Sequence, residues 1–199
     1  MHYLKYIAKV GVIFETESRI VNNISGFSAI ADKNAKLLIL GSMPSETSLQ
    51  KQQYYGHQRN AFWSIMLSLF FEQSNSEVLS YAQRKQLLIK NNIAVWDVLQ
   101  SCHRQGSLDT AIKMESIKTN NFHHFFQSHP AIKKVFFNGT KAEAIYIKHV
   151  LPTINKQFSH LEYCRLPSTS PAHATMTLKQ KTAIWQKEIK DYNNFLIKE

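Results

Sequence analysis

Short apolar runs alternate with longer amphipathic stretches along this chain, and that alternation predicts its fold. Four runs read as strands: Lys36–Leu40, Ile93–Val98, Lys133–Phe137 and Leu161–Leu166. Each is β-branched, aliphatic or aromatic in character and stops at a Gly, Asp, Asn or Pro. Between them, apolar residues recur at helical spacing. Phe62, Ile65, Met66, Leu69 and Phe70 follow Asn60-Ala61, and a second stretch covers Val78–Lys90. Phe122, Phe125 and Phe126 mark a third helix, stopped by Pro130; Ala142, Ile145, Tyr146 and Val150 mark a fourth, stopped by Pro152. The last runs from about Thr177, with Leu178, Trp185, Ile189, Tyr192 and Leu196 on one face. Strands separated by helices imply a parallel sheet with right-handed crossovers, an α/β fold. Such a sheet brings all its strand ends to one edge, where ligands bind. The loops at that edge are Gly41–Ser48, Asp97–Arg104, Asn138-Gly139 and Pro167–Ala174.

Residues 1–25 show no strong period and read as an extension that packs loosely; the domain proper spans 26–199. With 199 residues and 44% apolar content, the chain has the material for one real core. A net charge of +10 favours a polyanionic partner, nucleic acid being the usual one. The basic residues are scattered, which points to a basic face and not a basic tail. Cys102 and Cys164 have no metal-like spacing and fit free thiols in a reducing cytoplasm. No apolar run is long enough to cross a membrane, and the N-terminus, broken by Lys5 and Lys9, does not read as a signal peptide.

The segment Leu37–Trp63 is the most informative. It reads as strand, glycine turn, polar loop and helix, with Tyr54 and Tyr55 available to stack on a planar ligand. Across the four loops the polar groups are hydroxyls and amides: Ser42, Ser45, Asn60, Asn138, Ser168, Thr169 and Ser170, joined by Asp97 and His173. There is no paired-carboxylate spacing of the kind a two-acid glycosidase needs. There is also no Cys/His metal set and no Gly-rich phosphate loop with a Lys, so no metal or cofactor is expected.

GSMPS at 41–45, followed by YYGHQRNAFW at 54–63, resembles the first motif of the hypoxanthine-DNA glycosylases, a branch of the uracil-DNA glycosylase superfamily. IAVWDVLQSCHRQGSLDTAI, VFFNGTKA and LPSTSPAHATMTLKQK resemble its later segments in the same order, from about Gly26 to the last helix. The resemblance implies a three-layer fold, a four-stranded parallel sheet flanked by helices. It implies a monomeric, cytoplasmic base-excision repair enzyme that cuts a deaminated base, hypoxanthine foremost, from its deoxyribose. A uracil-preferring glycosylase and a noncatalytic DNA- or nucleotide-binding module are the competing readings. The partner in either enzyme reading is DNA carrying a deaminated base, flipped out of the stack into a pocket.

Residue by residue, the resemblance puts Asn60 at the amide that orients the attacking water, although Asn60 also suits a helix N-cap. Asn138 is the second catalytic candidate, against a plain Asn-Gly turn. The base pocket would comprise Gly41, Ser42, Met43, Pro44, Tyr55, Phe62 and Asp97. Phe62 equally suits the helix's core face, and Asp97 equally suits a tie to nearby backbone. Ser45, His57, Ser168, Thr169, Ser170, Pro171 and His173 would contact DNA, with Met176 or His173 as a wedge. His173 departs from the asparagine expected at its position. His123 and His124 read as helix surface.

Overall fold

The computed structural model describes residues 23–71, 79–154 and 156–196, with side chains to residue 190. Residues 1–22 and Val78 therefore lie outside the described residues, and Tyr192 and Leu196 outside the described side chains. Among the described residues there are seven strands: β1 (Asn23–Ser25), β2 (Leu37–Gly41), β3 (Ile93–Asp97), β4 (Leu99–His103), β5 (Lys118–Thr119), β6 (Lys134–Asn138) and β7 (Glu162–Leu166). The helices are α1 (Glu46–Lys51), α2 (Phe62–Phe70), α3 (Tyr81–Lys90), α4 (Phe122–Ser128), α5 (Thr140–His149), α6 (Leu151–Ile154) and α7 (Leu178–Leu196).

The main sheet has the order β3-β2-β6-β7, and every pair is parallel. The four predicted strands are all in it, within a residue of their expected bounds. All five residues of β2 are buried, as befits a central strand covered on both faces. Its side chains alternate between two cores. Leu38 and Leu40 join Val135, Phe137 and Ala94 against Phe122, Phe125, Ile145 and Tyr146 of α4 and α5. Leu37 and Ile39 join Ile93, Val95 and Phe136 against Phe62, Ile65, Met66, Leu88, Trp185 and Ile189 of α2, α3 and α7. This period of two on each strand produces the three layers.

Helix limits follow local chemistry. Ser80 and Gln83 form a reciprocal capping box on α3 (3.3 and 2.7 Å). Thr177 and Gln180 do the same ahead of α7 (3.2 and 2.9 Å). α4 ends two residues before Pro130, and Pro152 sits in the first turn of α6, where its missing N–H costs nothing.

Two features were not expected. α1 occupies part of the predicted Gly41–Ser48 loop, capped by Ser45, whose Oγ accepts from the Ser48 N–H (3.2 Å). The Asp97–Arg104 loop is instead β4, which pairs antiparallel with β1 and β5 in a second small sheet. Asn23–Ser25, expected in the extension, thus form an edge strand of that sheet.

Candidate active site at the sheet switch point

From β2 the chain crosses first to β3 on one side and later to β6 on the other. A topological switch therefore lies between β2 and β6, and a crevice opens there beyond the strand ends. It holds a cavity of about 590 Å³, within the usual range for a small-molecule site. Gly41, Ser42, Met43, Pro44 and Ser45 line it from the end of β2. Asp97 lines it from β3, Asn138 from β6, and Ser168, Thr169, Ser170 and His173 from the loop after β7. Tyr55 and Asn60 also line it, so the two candidate amides share one cavity with the candidate stacking ring.

One expected pocket residue is placed elsewhere, and two residues expected to contact DNA lie outside the cavity. Phe62 is fully buried and does not line the cavity; Tyr55 lies over it, ring on ring, with centroids 4.0 Å apart and planes 21° apart. Its helical period took Phe62 into the core, which leaves Tyr55 in front of it and, with Tyr54, in the cavity lining. His57 and Pro171 are also outside the lining. The His57 Nδ1 accepts from the Arg59 N–H at 3.1 Å.

The Tyr54–Trp63 stretch is pinned from several sides. The Trp63 indole donates to the Tyr54 carbonyl (2.9 Å), the Tyr54 N–H donates to the Tyr81 hydroxyl (3.0 Å), and the Gly56 N–H donates to Ser48 Oγ (3.0 Å). Held this way, Tyr55 takes a left-handed backbone conformation, φ 53°, uncommon for a residue with a large side chain. Strain of this kind is found where surrounding structure overrides it, often at functional sites.

Asn60 sits one residue before the cap position of α2, which Ala61 occupies. Its Oδ1 accepts from the Phe62 N–H at 3.0 Å, which fixes the amide plane; among the described residues its Nδ2 has no acceptor. The Ala61 N–H donates to the Thr169 carbonyl (2.9 Å), tying the start of α2 to the loop after β7. Asn138 is engaged differently. Its Nδ2 donates to Thr169 Oγ1 and its Oδ1 accepts from the Thr169 N–H, both at 2.8 Å. That reciprocal pair clamps the loop after β7 onto the end of β6. The adjacent Gly139 has φ 99°, and a Cβ there would stand 2.9 Å from the Ser168 Cβ, so the glycine allows this close approach.

The floor of the cavity holds a buried acid. Asp97 is 3% exposed, and its Oδ2 is buried without a hydrogen-bond partner. The Tyr55 hydroxyl is likewise buried and unpartnered. Gly41 separates them: a Cβ there would meet Asp97 Oδ1 at 2.4 Å and the Tyr55 hydroxyl at 3.3 Å. Burial, aided by the negative charge of Asp109, pushes the Asp97 carboxyl up to about 8, against a smaller opposing pull from Arg104. Burial also raises Asp109, whose Oδ1 accepts from the Ser42 hydroxyl at 2.7 Å. Desolvation and Asp97 together raise Tyr55, so its hydroxyl keeps its proton.

Asp109 and Arg104 were not among the residues singled out from the sequence. Arg104 is 4% exposed, and its guanidinium donates to the Gly106 (2.9 Å), Met43 (3.5 Å) and Pro44 carbonyls. It holds the polar loop after β2 in place from behind. Arg104 ends the expected Asp97–Arg104 loop and Asp109 follows it, but neither carries a local signal that it folds back onto Ser42 and Met43. Among the described residues no group of three or more His, Cys, Asp or Glu side chains is placed to hold a metal. His123 and His124 are exposed on α4, and Cys102 and Cys164 are free.

Fold and site together define an α/β domain with a polar crevice at the switch point of its parallel sheet. The sequence profile of the Uracil DNA glycosylase superfamily matches residues 27–191, and the chain belongs to that superfamily. Two proteins named hypoxanthine DNA glycosylase are similar over 117 residues, 59% of this chain and 72% of theirs. That of Methanosarcina barkeri is 41% identical and that of Methanosarcina acetivorans 39%. A solution NMR structure of a candidate uracil DNA glycosylase from Methanosarcina acetivorans superposes with a TM-score of 0.66 at 31% identity. The match covers 85% of this chain and 99% of that one. Among the described residues no helix is long and apolar enough to cross a membrane.

Proposed function

We propose that this DNA glycosylase excises hypoxanthine, the base left by deamination of adenine, in base excision repair. The observation that carries the reading is the cavity itself, in which Asn60, Tyr55 and a buried Asp97, its carboxyl pushed up to about 8, converge at the strand ends. The named relatives support hypoxanthine as the base.

A base within a duplex is unreachable, so it is flipped into the cavity at a cost of a few kcal/mol. Tyr55 supplies a ring for it to stack on. The bond from N9 to C1′ then breaks with its electron pair going to the base, which becomes negative while the sugar becomes positive. Asn60 is positioned to orient a water whose oxygen adds to C1′; that water loses one proton, and the base gains one. Groups prearranged around the leaving base contribute most if they are donors and carry no negative charge. Asp97 meets that requirement when neutral: its O–H can donate to a base heteroatom, whereas its carboxylate would repel the developing anion. Asn138 acts at one remove, holding Thr169 and its loop in place.

The test is single-turnover cleavage of duplex oligonucleotides carrying hypoxanthine, uracil, xanthine or adenine at one position. Hypoxanthine should be released fastest and adenine not at all. Faster release of uracil would replace hypoxanthine as the substrate, and no release of any base would leave a noncatalytic binding module.

A further inference from the structure

The loop after β7 is held by a buried cation that the reaction chemistry does not use. Lys181, on α7, is 5% exposed. Its Nζ donates to the His173 carbonyl at 2.8 Å and to the Ser170 carbonyl at 3.4 Å. No carboxylate pairs with it among the described residues. A buried ammonium without a counter-charge is costly, and here desolvation pushes Lys181 below the ordinary lysine range. The comparison with Arg104 is instructive. Arg104 also grips loop carbonyls from behind, but it has Asp97 and Asp109 in its field. Lys181 has only carbonyl dipoles.

The other face of the same loop offers donors. Ser168 Oγ accepts from the Ser170 N–H, and Ser170 Oγ accepts from the Ala172 N–H, both at 3.2 Å. Neither hydroxyl proton goes to an acceptor among the described residues. Two serine O–H groups, each oriented by the bond it accepts, are thus left to a ligand that only accepts. The two carbonyls that would repel such a ligand are turned towards Lys181. Ser168 and Ser170 both line the rim of the cavity into which the base would be flipped.

We propose that Lys181 is a positioning residue for a backbone phosphate of the bound strand, which the Ser168 and Ser170 hydroxyls contact and whose charge the buried ammonium offsets. The proposal rests on the reading that the ligand is DNA. It assigns to Lys181 a role in binding and none in the bond-breaking step.

The test compares wild type, Lys181→Gln and Lys181→Arg in binding an undamaged duplex over a range of salt concentrations. Gln retains N–H donors for the two carbonyls but removes the charge. A lost phosphate neutralisation should reduce the slope of log affinity against log salt by roughly 0.9. Lys181→Gln should therefore bind several-fold more weakly at low salt with a shallower slope, and Lys181→Arg should keep the wild-type slope. Equal slopes for wild type and Lys181→Gln would overturn the proposal alone, making Lys181 a structural clamp. A wild type that binds no duplex would overturn both the proposal and the DNA reading. If Lys181→Gln fails to fold, the ¹⁵N resonance of the Lys181 Nζ in wild type decides. Its shift on titration with undamaged duplex supports the proposal, and an unmoved signal refutes it.

Discussion

Replacing Asp97 by asparagine separates the physical cost of this site from its chemistry. The carboxyl is fully buried beside Gly41 and Tyr55, and its pKa rises from 3.8 to about 8. Between those values the folded protein keeps a proton that the unfolded chain has released, so the wild type loses stability as pH rises. Each pH unit is worth at most about 1.4 kcal/mol, so across this window the cost is on the order of 5 kcal/mol by pH 8. The amide of the Asp97→Asn variant has no such proton to keep. The stability difference between Asp97→Asn and wild type should therefore be small at pH 4, grow in favour of the variant up to about pH 8, and level off above it. Asp109 is raised by burial too, but it remains in both proteins and its effect largely cancels in the difference. Urea denaturation at pH 4, 6, 8 and 9 measures this directly. Parallel stability curves would refute the reasoning, since they would mean that Asp97 titrates alike in the folded and unfolded chain. The same pair tests the chemistry. If a neutral Asp97 donates to the leaving base, wild-type single-turnover cleavage should fall above about pH 8. Asp97→Asn, whose amide still donates, should lack that alkaline fall.

Asn60→Ala should lower single-turnover cleavage by roughly 10²-fold or more, the scale of losing one positioned polar group, while binding of lesion DNA changes little. Cleavage that falls only in step with melting temperature would reduce Asn60 to support for α2. Gly41→Ala would drive a methyl into Asp97 Oδ1 and should destabilise the fold by about 1–3 kcal/mol and slow cleavage; calorimetry showing no loss of stability would contradict the tight packing at this strand end. Cleavage should survive EDTA, and activity lost to EDTA and restored by zinc or magnesium would overturn the proposed mechanism.

The sequence alone determined the layers, because strand and helix periods are local. The alternation of Leu37, Leu38, Ile39 and Leu40 sends successive residues to opposite faces, and the apolar faces of α2, α4, α5 and α7 follow a 3.6-residue repeat. Parallel topology, itself implied by that alternation, then places Gly41, Asp97, Asn138 and Ser168 on one edge. The small β1-β4-β5 sheet was not legible, since two of its strands have only two or three residues and its pairing is set by partners far along the chain. Phe62 shows the limit within a single helix: its type suited both core and pocket, and only packing put Tyr55 in front of it. Asn138 likewise could not be read as bound to Thr169, 31 residues away. Burial and long-range contacts decided the rest. The Asp97 carboxyl is raised because the folded chain excludes water and brings Asp109 near, and Lys181 meets two carbonyls because α7 packs beneath their loop. Charge state and hydrogen-bond partner are properties of the assembled surroundings, which no local pattern of residue types encodes.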